Sequence, residues 1–130
     1  MKAPALLSVL LLAACAATPP ENLVGTWQVQ EADTAALPPQ VKLELRADGR
    51  FTASGGCNNL VGQYRTSSGR LTFSDAASTL MACPDKQQTD TDARLGAAVG
   101  QARTYRISGT QMEWLDGNGK TVLKAQKTAP

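Results

Sequence analysis

A chain of 130 residues suits one domain with a modest core and leaves no room for a second. Hydrophobic residues at 42% and charged residues at 18% give the balance of a folded soluble protein, not a disordered one. The formal net charge of +2 argues against nucleic acid as a partner, and the absence of histidine removes the commonest general base, the commonest zinc ligand and every Ser-His or Cys-His catalytic pair.

The first twenty residues, "MKAPALLSVLLLAACAATPP", have one positive charge at Lys2, a short apolar run over 5–12, and then small residues. This is the layout of a secretory signal peptide, and the run is too short to span a bilayer. Leu12-Ala13-Ala14-Cys15 resembles the bacterial lipobox, in which the peptide is cut before the cysteine and that cysteine is lipidated. The expectation is a signal peptide over 1–14, a lipidated Cys15 beginning a tether over 15–22, and a folded domain over 23–127. Without Lys2, 12 basic side chains face 11 acidic ones. Several acyl chains on Cys15 would make a stable membrane anchor. The proline-containing tether, at ~3 Å per residue, would reach about 20 Å. Ala16, where an Asp would mark inner-membrane retention, resembles Gram-negative outer-membrane sorting, so the localisation expected is the outer membrane, facing the periplasm.

From residue 22 onward, short alternating runs are punctuated by turn residues. "GTWQVQ" (25–30) reads as a first strand, and a loop ending in Pro38-Pro39 follows. In "VKLELR" (41–46), Val41, Leu43 and Leu45 share one face while Lys42, Glu44 and Arg46 share the other. Asp48-Gly49 supplies a hairpin turn into "RFTAS" (50–54). "LVGQYRT" (60–66) and "RLTF" (70–73) flank Ser67-Ser68-Gly69, and "ASTLM" (77–81) reads as a further extended segment. "RTYRIS" (103–108), "QMEWL" (111–115) and "KTVLKAQ" (120–126) complete an antiparallel meander.

Residues 85–102 break this pattern. Leu95, Val99 and Ala102 fall at helical spacing, Asp85 with Gln88 could cap the start, and Gly100 could help end it. Its Thr, Asp and Gly content makes a weak helix by propensity, one that packing must hold. The fold class expected is mainly β: a compact antiparallel β barrel or strongly curved sheet of about eight strands, with one packed α-helix at about 85–100. Trp27 and Trp114 are expected in its core.

"GGCNNLVGQYRTSSGRLTF" followed by "STLMACP" resembles the signature of the META domain, shared with the HslJ-like bacterial heat-shock lipoproteins. The order of the two cysteine motifs, the helix, "Y-x-I-x-G" and "D-x-x-G" carries the likeness over about 25–125. It implies a compact β barrel or curved sheet with one helix, a secreted or membrane-anchored setting, and links to stress responses in some members. It implies no shared catalytic residues.

A catalytic Cys57 would need an activating histidine, cation or helix N-terminus, and its neighbours are Gly and Asn. Zinc would need about four Cys or His ligands, and only Cys57 and Cys83 remain once Cys15 is lipidated. In an oxidising compartment the pair reads as a disulfide. Gly55 and Gly56 then permit close backbone approach, and Asn58 and Asn59 tolerate left-handed conformations while bonding local backbone, which makes a structural corner. The alternative for that Asn pair is the lining of a polar ligand site. The carboxylates Asp48, Asp75, Asp85, Asp90, Asp92 and Asp116 show no spacing that asks for acid–base work, and Asp90 and Asp92 lack the glycine and glutamate of an EF-hand loop. No catalytic, metal or cofactor-binding residue is therefore expected. The function expected is a lipid-anchored envelope protein with a non-catalytic interaction or stress-response module, whose partners are the membrane through Cys15 and an envelope protein. The alternative is a carrier of small apolar ligands, because Gly25-Thr26-Trp27 resembles the opening motif of lipocalin-like barrels.

Overall fold

The computed structural model describes residues 4–5 and 18–129; Cys15 and the lipidation expected there lie outside the described residues. The strands are β1 (Gly25–Ala32), β2 (Ala35–Ala36), β3 (Lys42–Leu45), β4 (Arg50–Ser54), β5 (Leu60–Ser67), β6 (Arg70–Ser78), β7 (Thr104–Ser108), β8 (Gln111–Leu115) and β9 (Thr121–Ala129), with α1 (Lys86–Gln101) between β6 and β7. Every neighbouring pair is antiparallel. β1 also pairs with β9, from Thr26↔Ala129 to Ala32↔Leu123, which closes an eight-stranded barrel with the two-residue β2 as a flap on β1.

Period-2 alternation sets the register. On β3, Leu43 and Leu45 are buried while Lys42 and Glu44 face solvent, and Phe51 and Ala53 repeat the pattern on β4. A barrel of this size leaves an interior that side chains can fill. Trp27, Trp114, Phe51, Leu43, Leu45, Leu71, Met112 and Leu123 fill it, each fully buried.

Both ends are closed. At the end where β1 begins, buried Leu23 sits under a turn in which its N–H donates to Pro20 O, and Trp27 Nε1 donates to Leu23 O at 2.9 Å. At the other end α1 presents Thr91, Leu95, Ala98 and Val99 to the barrel, and Ala102 is buried just beyond it. The helical face expected from the sequence is the one that packs. Asp85 is the N-cap, accepting from Gln87 N–H at 2.9 Å without help from the Gln88 side chain; Gly100 lies inside the helix, which ends where Ala102 turns extended.

Two details differ from the sequence reading. The segment 77–81 is no separate strand: its first two residues finish β6, which continues past an irregularity where Asp75 adopts a φ of 53°, and 79–81 run on as loop. β2 was not anticipated. It follows a tight turn in which Asp33 and Thr34 both have positive φ, a hairpin geometry usually marked by Asn or Gly.

The weakest seam joins β6 and β7, with one ladder pair, Arg70↔Thr104, flanked by Leu71 N–H to Arg103 O and Tyr105 N–H to Gly69 O. Phe73 on β6 packs between Phe51 and Trp114, with ring centroids 4.8 Å from each. Among the described residues, Trp114 Nε1 is the one buried side-chain nitrogen or oxygen without a hydrogen-bond partner.

Tyr64 on β5 donates its hydroxyl to Arg46 O at 2.5 Å. Burial, then the Asp48 charge and Tyr105, push its pKa from 10.0 up to about 12. The fold therefore favours the neutral phenol. That contribution is complete below about pH 10 and is lost as pH rises toward 12, by about 2–3 kcal/mol at most. Denaturant titrations across this window should show a fall in stability that is shallower in Tyr64→Phe by that amount.

Candidate functional site

The turn between β4 and β5 holds Gly55, Gly56, Cys57, Asn58 and Asn59, and the helix, the barrel rim and the loop 79–85 all meet there. Cys57 and Cys83 form a disulfide with Cα atoms 5.8 Å apart. Gly55 has φ 119°, and a Cβ there would lie 2.8 Å from Gln40 O. Gly56 has no positive φ; it is small because α1 passes over it, where a Cβ would collide with the Asp92 carboxylate and come within 2.8 Å of Gln88 O.

Asp92 on α1 holds the corner from the helix side. Its Oδ1 accepts from Cys57 N–H at 3.1 Å and its Oδ2 from Asn58 N–H at 2.9 Å, and Asn58 Nδ2 donates to Oδ2 at 3.2 Å. A carboxylate has lone pairs enough for all three donors, and bonds to a charged acceptor are the stronger kind. Asn58 Oδ1 accepts from Met81 N–H at 2.7 Å and from Thr79 Oγ1 at 2.9 Å, while Asn59 N–H donates to Thr79 Oγ1 at 3.0 Å. The expectation for the two asparagines needs correcting: neither adopts a positive φ, and they bond the distant loop 79–81 and the helix, not local backbone. The sequence reading missed Asp92. Its only signal was position, one helical turn after Gln88 on a helix that must pack.

The other acids named from the sequence do not converge. Asp48 accepts from Arg50 N–H at 3.1 Å, Asp116 from Asn118 and Lys120 N–H, each at 2.9 Å, and Asp90 pairs with Lys86 at 2.8 Å. Cys57, Cys83 and Asp92 place one ligand atom each within 4.8 Å of one another, with both sulfurs taken up by the disulfide.

A shallow cleft of about 470 Å³ lies on the outside of the barrel, lined by Glu31, Thr34, Arg106, Glu113, Thr121 and Lys124 among others. Its charges form a cross-strand ladder. Arg106 pairs with Glu113 at 2.6 Å, Glu113 stands opposite Lys124, and Lys124 lies 3.8 Å from Glu31. Because each charge already faces an opposite one, the cleft offers no uncompensated charge to a ligand.

Apolar side chains surface at the corner instead. Among the described residues the exposed large hydrophobics are Val61, Leu80 and Met81, with Leu80 96% exposed. Val61 lies on β5 just past the corner, and Leu80 and Met81 lie on the loop that follows β6.

The META domain family matches residues 21–129. The chain belongs to the META domain family. The match runs from the turn that closes one barrel end to the last residue of β9, so the META domain is the whole folded unit described above. No curated protein sequence matches the chain. Among solved structures, it is similar to the NMR structure of a protein from Burkholderia xenovorans, with 24% identity, a TM-score of 0.61, and 86% of this chain and 93% of that one covered. A second NMR structure matches at 18% identity and TM-score 0.61, covering 79% of this chain and 88% of that one. The crystal structure of a DUF4847 family protein from Bacteroides vulgatus ATCC 8482 matches at 13% identity and TM-score 0.58, with 82% and 94% covered. At these identities the likeness concerns the fold.

The disulfide closes a separation of 26 residues, which the chain-entropy model values at about 3.5 kcal/mol. Cys57→Ser should therefore lower the melting temperature by roughly 10–15 °C, read by calorimetry against the oxidised wild type. In non-reducing mass spectrometry the oxidised protein should show no free thiol at Cys57 or Cys83.

Proposed function

We propose that this META domain protein is a lipid-anchored, non-catalytic interaction module of the cell envelope, serving a stress response, and held by lipid on Cys15 at the outer membrane facing the periplasm. The observation that carries this reading is the exposure of Leu80 and Met81, at 96% and 63%, on a loop pinned by a disulfide and by Asn58, with Val61 44% exposed on β5. Apolar side chains gathered on a rigid surface suit a protein partner. The patch lies at the helix-capped end of the barrel. The tether joins the other end, where Lys127 Nζ reaches Asn22 O at 3.3 Å, so a domain on a short tether would turn the patch away from its own membrane.

The carrier reading draws on barrel closure and on the unpartnered Trp114 Nε1 in the interior. The filled lumen and the polar, outward-facing cleft favour the interaction reading.

Metabolic labelling with a fatty-acid probe should mark the wild type and leave Cys15→Ser unmarked; equal labelling of both would end the anchor assignment. A photocrosslinker at Leu80 should give one discrete adduct in intact envelopes, and the same group at Ser68, in the turn between β5 and β6 at the tether end, should not. Identical adducts from both positions would remove the patch from the account.

A further inference from the structure

We propose that reduction of the Cys57–Cys83 disulfide turns the corner into a binding site for a thiophilic divalent cation of the zinc class, with the two thiolates and the Asp92 carboxylate as ligands. The three ligand atoms lie within 4.8 Å of one another, and the Cα atoms of Cys57 and Cys83 are 5.8 Å apart. Asn58 links Met81 to the corner by two hydrogen bonds, from Met81 N–H at 2.7 Å and to Met81 O at 3.4 Å, which keeps Cys83 near Cys57. Tetrahedral zinc places two thiolate sulfurs about 3.7 Å apart, so the two side chains must rotate away from the disulfide geometry once the bond is broken.

The surroundings suit the ligands. Asp92 is oriented by the N–H groups of Cys57 and Asn58, the outer-shell support that metal-binding carboxylates require. Cys83 Sγ lies 4.0 Å from Asp92 Oδ2, and Asn58 Nδ2 lies 3.6 Å from the same sulfur, so an N–H donor is ready for a thiolate. Both cysteines and Asp92 are half-buried, which leaves a path for the reductant and the ion. With three protein ligands, water takes the fourth tetrahedral position.

The chemistry balances. A dithiol reductant supplies two electrons and two protons, the sulfur–sulfur bond breaks, and the reductant leaves as its own disulfide. The cation then displaces the two thiol protons to solvent. The coordinate link replaces the covalent one, and α1 stays tied to the corner under reducing conditions.

The test uses the full chain carrying Cys15→Ser, so that two thiols alone are released. The protein is purified oxidised, reduced anaerobically with a phosphine, freed of reductant and titrated with Co²⁺. The expected result is a thiolate-to-cobalt charge-transfer band that saturates at one equivalent, disappears on adding Zn²⁺, and is absent from the oxidised protein and from Cys57→Ser. Asp92→Asn, folded by its closed disulfide before reduction, should bind Co²⁺ at least about tenfold more weakly. As a readout independent of that variant, Zn²⁺ should raise the melting temperature of the reduced protein and leave that of the oxidised protein unchanged. No thiolate band in the reduced chain, a band of equal strength in Cys57→Ser, unchanged affinity in Asp92→Asn, or a melting temperature indifferent to Zn²⁺ would each overturn the site.

Discussion

The Asp92 carboxylate, gripping the backbone N–H groups of Cys57 and Asn58, is the contact on which the helix-capped end of the barrel depends. α1 is a poor helix by itself, with four Thr or Asp residues in a row at 89–92 and glycines at 96 and 100. It remains helical because four residues of one face are buried against the barrel and because one carboxylate ties it to the rim. The glycine at 56 exists for that tie, since any side chain there would push Asp92 away. Arg94 adds a second link on the same helix, donating to Asp33 O at 2.9 Å on the β1–β2 turn.

Once the helix is seated, the rest of the molecule follows from closure. A barrel with no free edge at β1 and β9 and with plugs at both ends has little interior left to offer a ligand, and its outer charges are arranged to satisfy one another. Apolar side chains reach the surface at the corner, where the loop that carries Cys83 has Leu80 and Met81 exposed. Asn58 joins the two properties. The same side chain that bonds Asp92 also accepts from Met81 N–H on the loop bearing those apolar groups.

Much of this was legible in the sequence because it depends on local pattern. The alternation of Val41, Leu43 and Leu45 fixed which face of β3 is inside, Asp48-Gly49 marked its hairpin, and Leu95, Val99 and Ala102 marked the buried side of α1. The cysteine pairing followed from setting Cys15 aside as the lipidated residue, which left two thiols for an oxidising compartment to join. What sequence could not give depends on contacts across long separations. Asp92 looked like one more surface acid because its partners lie 34 and 35 residues away. "ASTLM" read as a separate extended segment, whereas its first two residues finish β6 and the chain then leaves the sheet, with Leu80 facing water. The Asp33-Thr34 turn escaped notice because β-branched Thr34 rarely adopts the left-handed conformation it takes here, and no glycine marks the turn.

Amide hydrogen exchange on the oxidised protein, comparing wild type with Asp92→Ala, tests the anchoring role of Asp92 most directly. The account predicts that the N–H groups of Cys57 and Asn58 lose their protection in the variant and that amides across α1 exchange faster with them, while β3 and β4 keep the protection of the intact barrel. Unchanged protection along α1 in Asp92→Ala would show that packing alone seats the helix, and would contradict the central place given to this carboxylate.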